Sequence, residues 1–97
     1  MATFITLLNF TEQGIREIKG TLKRAENFTK SAKKAGVTVR DVYWTVGGYD
    51  GVLIIDAPDE ETAASVLVGL GTSGNVRTKT LRAYNREEMQ SILSNVS

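Results

Sequence analysis

Apolar residues crowd both parities of residues 3–10, where Phe4, Leu8 and Phe10 alternate with Ile5 and Leu7. β-branched Thr and Ile fill the gaps, and the pattern predicts a strand with two greasy faces. The period then lengthens. Ile15, Ile18, Leu22, Ala25, Phe28, Ala32 and Ala35 recur every three or four residues and define the apolar stripe of a helix. Thr11 is its natural N-cap, Phe10 and Ile15 have the spacing of a hydrophobic staple, and Gly36 is placed to end it in a left-handed cap. Gly20 and Thr21 are positioned to kink or split this helix.

Residues 37–46 are rich in β-branched and aromatic side chains, but parity slips between Val37/Val39 and Val42/Trp44/Val46, which marks either a bulge or a late strand start. Three glycines in the segment GGYDG, residues 47–51, predict a turn, and the unbroken run Val52-Leu53-Ile54-Ile55 predicts the second arm of a hairpin. Pro58 and Asp59 open another helix with Ala63, Val66, Leu67 and Leu70 on its inner face, released by Gly71 to Gly74. A fourth strand follows over residues 75–84. Asn85 and Glu88 then have capping-box spacing ahead of a short helix carrying Met89, Ile92, Leu93 and Val96.

The order is β-α-β-β-α-β with an added C-terminal helix, an α+β ferredoxin-like arrangement in which both long helices lie on one face of an antiparallel sheet. The central strands are apolar on both faces, and two helices cover only one. A bare sheet face of Ile, Leu and Val is a patch that soluble monomers rarely tolerate, so the pattern predicts a homodimer in which a second copy closes the sheet through a two-fold axis.

With 97 residues, one core and one domain spanning residues 1–97 are expected. There is no Cys and no His, so disulfides, thiolate and imidazole catalysis and ordinary zinc sites are excluded, and neither a cofactor nor a metal is expected. No stretch approaches the roughly 18 uninterrupted apolar residues of a membrane span, and the first ten residues lack the basic segment of a secretory signal. A cytoplasmic protein with no membrane partner is therefore the expectation.

Charge is nearly balanced overall, 12 Lys plus Arg against 11 Asp plus Glu, but it is unevenly placed. Seven cations fall between Arg16 and Lys34 against Glu17 and Glu26, while residues 41–61 hold six acids and no cation. That run either steers an anion toward the first helix or is the solvated side of a surface helix. Nucleic-acid binding is not expected. The same βαββαβ order serves RNA-binding domains, which need aromatics on the central strands, whereas the third strand here offers Val, Leu and Ile.

Besides that basic run, three segments are candidates for chemistry. The loop at residues 47–51 presents Tyr49 and Asp50 on a glycine-rich support, either as a ligand contact or as a plain hairpin turn. Adjacent Tyr43 and Trp44 must face opposite sides of their strand, so one ring points to the helices and the other to the partner sheet, with Trp44 a candidate pocket wall. Arg77 and Arg82 lie on opposite parities of the last strand, and either could pair with Asp50 or with an anionic ligand. Lys79 reads as solvation of an edge. The segment GLGTSG closes a helix rather than opening one, which argues against a dinucleotide loop.

The segments VYWTVGGYDG at residues 42–51 and GNVRTKTLRAYNREEM at residues 74–89, together with LLNFTEQGIREIK at 7–19 and APDEETA at 57–63, resemble the GYD domain family from end to end. Gly48, Tyr49 and Asp50 match the motif that gives the family its name. The resemblance implies a small prokaryotic protein like the dimeric α+β barrel proteins, and brings no established catalytic role with it. Several barrel relatives are cofactor-independent oxygenases or isomerases, which implies that a carboxylate base and phenol donor could suffice. The expected function is a small molecule held between sheet and helices near Trp44, Tyr49, Asp50 and a last-strand Arg, with or without turnover. The alternative is a non-catalytic assembly or regulatory module.

Overall fold

The computed structural model describes residues 1–97. Strand β1 (Ala2–Phe10) leads into the short helix α1 (Glu12–Arg16), a 3-10 turn at Ile18–Gly20 and helix α2 (Thr21–Lys34). Strands β2 (Thr38–Trp44) and β3 (Gly51–Ala57), helix α3 (Glu60–Thr72), strand β4 (Val76–Ala83) and helix α4 (Arg86–Leu93) complete the chain. The four strands form one sheet in the order β2-β3-β1-β4, every neighbouring pair antiparallel, which is the ferredoxin-like topology.

Local chemistry sets the element ends. The Thr11 side chain accepts the Gly14 N–H at the start of α1, and Asp59 does the same for the Thr62 N–H at the start of α3. Asn85 and Glu88 complete a reciprocal capping box on α4. At the end of α2, Gly36 adopts φ +86°, a region open to glycine at little cost. Its N–H donates to the Lys33 carbonyl at 3.0 Å and that of Val37 to the Ala32 carbonyl at 2.9 Å. This pair of hydrogen bonds is the Schellman closure, and it seats Val37 in the core with Ala32. The helix splits at Gly20, as the sequence suggested, and the N-terminal part of its stripe, Ile15, Ile18 and Leu22, is left exposed.

The parity slip in β2 is a bulge. Val39 pairs with Ile55 and Asp41 with Ile54, so Arg40 is the extra residue, and Val39 and Val42 both turn toward the helices. Val46, expected at the end of this strand, lies beyond it in the connecting loop and is exposed.

The core lies between the sheet and α2 and α3. Phe4, Ala32, Val37, Leu53, Ile55, Ala57, Ala63 and Leu67 are its buried members, with Thr6 buried beside them and bonded to the Thr80 hydroxyl at 3.0 Å. Helix α2 rests on β2, whereas α3 rests on β3 and β4. The opposite face carries Ile5 and Leu7 of β1, Val52 and Ile54 of β3, Tyr43 of β2 and Leu81 of β4, and no element of the same chain covers it. The subunit is accordingly thin and extended, 50 × 31 × 18 Å, with a radius of gyration of 14.6 Å where roughly 12.5 Å suits a chain of this length. It exposes 6680 Å², against roughly 5,500 Å² for a compact monomer of its mass.

Candidate functional site

Because α2 and α3 sit over different halves of the sheet, a cleft of about 590 Å³ opens between them. Leu8, Phe10 and Leu53 form its floor, Phe28 and Val66 stand on its two sides, and Trp44 closes one end. Thirteen of its 22 lining residues are hydrophobic, which suits the apolar body of a ligand. Gly69 contributes to the opening, since a Cβ added there would meet nothing within 4 Å.

The Trp44 indole is fixed. It lies on the helix side of β2, opposite Gly51, and its Nε1 donates to Oγ1 of Thr21 at 3.0 Å, joining the end of β2 to the first turn of α2. Tyr43, paired with Val52, faces the other way by strand alternation, so the two residues divide between the two sides of the sheet.

The other sequence candidates are placed elsewhere. Thr45 and Asp50 close the loop by a backbone bond of 3.0 Å, and the Thr45 hydroxyl donates to the Tyr49 carbonyl at 2.6 Å. The Asp50 carboxylate accepts the backbone N–H of Phe10 at 2.9 Å, so its partner is the main chain of β1. Neither Tyr49 nor Asp50 lines the cleft. Arg77 lies at the border of a second hollow, between α3 and β4. Arg82 is held over the Tyr84 ring at 4.4 Å, over Phe4 at 5.6 Å and against Glu88 at 3.8 Å, where it fastens α4 to the sheet edge. Of the five residues singled out, the structure therefore brings only Trp44 to the cleft.

The charged residue that does line the cleft is Arg24, hidden in the sequence among the cations of α2. Its Nη1 donates at 2.7 Å to the Glu17 carbonyl, which also accepts the Gly20 N–H at 3.0 Å where the helix breaks, while its buried Nη2 has no partner. No acidic side chain lines the cleft, and Arg24 is its one charged group. The signal in the sequence was the break at Gly20: a long side chain one turn beyond it can fold back on a carbonyl of the preceding turn. No cluster of three carboxylates suitable for a metal occurs, and no helix is long and apolar enough to cross a membrane.

Residues 4–93 match the GYD domain family model. A Thermus thermophilus protein named "Glutamine synthetase and cystathionine beta-lyase binding protein" is 32% identical over 84 residues, which cover 86% of this chain and 88% of that protein. Among solved structures, TTHA0845, also from Thermus thermophilus, superposes with a TM-score of 0.54 at 26% identity, over 89% of this chain and all (100%) of that one. MtbAldR superposes with a TM-score of 0.64 at 20% identity over 88% of this chain, which spans about half (54%) of that structure and shares its fold.

Proposed function

The chain belongs to the GYD domain family, and from that premise we propose that it works as a homodimeric binding protein, its open sheet faces packed on each other as a dimeric α+β barrel. In this reading each subunit keeps its cleft free for a small molecule. The observation that carries it is the uncovered face, where Ile5, Leu7, Val52 and Ile54 form an apolar centre, Arg40 and Asp56 pair with each other at 3.5 Å, and the unpaired charges fall on opposite sides. Asp41 lies on the β2 side and Arg77 and Lys79 on the β4 side, and none of the three has an ion-pair partner within the subunit. A two-fold axis parallel to the strands, between β1 and β3, lays the acidic side of one copy on the basic side of the other.

The cleft favours binding over turnover. Asp50 and Tyr49, the carboxylate and phenol expected to supply acid and base, lie outside it. A single domain over residues 1–97 and a cytoplasmic setting belong to the same proposal.

Sedimentation at micromolar concentration tests the dimer: a mass of two subunits is expected, and Ile54→Lys should reduce it to one. A wild-type chain that sediments as a single subunit overturns this reading.

The Thermus relative's name favours a second reading, in which the dimer docks on other proteins and the cleft is incidental. Co-elution of the chain with the glutamine synthetase of its own source, unaffected by Gly69→Leu in the cleft, would favour docking.

A further inference from the structure

We infer that the cleft between α2 and α3 takes an apolar carboxylate, its acid group paired with Arg24 and its hydrocarbon body laid on Leu8, Phe28, Leu53 and Val66. This rests on the cleft being a small-molecule site and adds the class of molecule it selects.

Three observations converge on an anion. Arg24 is the one charged side chain among the lining residues, so the cleft carries a positive charge that no neighbouring carboxylate cancels. Its guanidinium is held in place, because Nη1 is bonded to the Glu17 carbonyl at 2.7 Å. Its Nη2 is buried without an acceptor, a state that folded proteins rarely leave unmet and that an incoming carboxylate oxygen corrects after a small shift of the side chain.

The rest of the cleft selects against a highly polar anion. Against Phe10, Phe28, Leu53 and Val66 a sugar phosphate or a dicarboxylate would leave polar groups without partners, and the neutral Asn27, Ser31 and Ser65 that also line the cleft bring no second positive charge to hold a second acid group. A chain with one acid head satisfies both halves. The cation excess along α2 adds a field that draws anions toward this side of the molecule.

The single tryptophan reports the event directly, because Trp44 is a wall of the cleft. We would titrate the purified wild-type protein with octanoate and with 1-octanol, following Trp44 fluorescence. Octanoate should saturate the signal at a concentration at least about tenfold below octanol, given the charge-assisted pair it alone can form. Arg24→Met should bring the two probes together, whereas Lys23→Met, which removes the same charge from the neighbouring exposed position, should keep them apart. Equal affinity for both probes in the wild type, or equal losses in the two variants, overturns the carboxylate assignment and leaves the cleft standing. If neither probe changes the fluorescence, and Gly69→Leu changes nothing either, the small-molecule reading itself fails along with this inference. The wild-type comparison decides the matter even if Arg24→Met folds poorly.

Discussion

The Oδ2 atom of Asp50 accepts the backbone N–H of Phe10 at 2.9 Å, while the N–H of Asp50 donates to the Leu8 carbonyl at 2.9 Å. The acidic residue of the Gly-Tyr-Asp motif thus extends the pairing of β1 beyond Leu8 and Gly51, where the regular ladder ends. Asp50→Ala removes the acceptor and leaves a half-buried N–H unpaired. It should cost about 1.5–3 kcal/mol in urea unfolding, and Asp50→Asn, which keeps an oxygen in place, clearly less. An Asp50→Ala protein as stable as wild type would show the bond to be dispensable.

If the open faces pair as proposed, their charges are a lock that can be reversed. Asp41→Lys sets like charges against Lys79 of the partner subunit and should weaken the dimer about tenfold or more, as should Lys79→Asp. The double variant restores the complement and should recover most of the loss. Dimer dissociation constants from sedimentation give all four corners of the cycle, and a double variant as weak as the sum of the singles refutes the pairing.

Two glycines predict opposite responses to a single methyl. At Gly14 an added Cβ would stand 2.1 Å from the Asn75 carbonyl oxygen, where α1 crosses the start of β4, so Gly14→Ala should destabilise by about 1–3 kcal/mol. At Gly69 there is open space within α3, and Gly69→Ala should stabilise by about 0.5–1 kcal/mol through helix propensity alone. Thermal melts of both proteins decide this, and a shared sign would contradict the geometry.

The helix cap at Asp59 has a pH signature. The backbone N–H of Thr62, 2.7 Å from its carboxylate, holds the Asp59 pKa below its usual 3.8, with a second contribution from the Thr62 hydroxyl. A pKa lowered by folding means that the ionised cap stabilises above 3.8 and that this contribution fades as pH falls through the lower folded value. Asp59 is fully exposed, so the effect is small and salt-sensitive. The stability gap between wild type and Asp59→Asn should therefore be present at neutral pH and close on acidification below 3.8, measured by urea unfolding across that range.

Element order and helix caps were legible because each is written within a few neighbouring residues, whereas the parity slip in β2 left a bulge and a late strand start both open until the pairing of Val39 and Asp41 decided it. Thr11, Asp59 and Asn85 reach only as far as the third residue after them, and the Gly36 closure spans one turn. The parity of Tyr43 and Trp44 likewise assigns them to opposite faces, since alternation is a property of the strand alone. The uncovered sheet face followed from counting helices against apolar faces.

The cleft was not legible in this way. It joins Leu8, Arg24, Trp44 and Val66, residues scattered over more than half the chain, and it exists because α2 and α3 settle over different strands. That spacing depends on side-chain volumes meeting across the core, which no local pattern reports. The same limit hid Arg24 from a reading of the sequence, and only packing shows that Arg82 rests against Tyr84 and Glu88 while Arg24 lines the cleft. Periodicity, then, determined which face of each element is apolar, because a side chain's direction follows from the backbone repeat. Tertiary structure decided which polar groups those faces bring together, because only the folded chain sets distances between residues far apart in sequence.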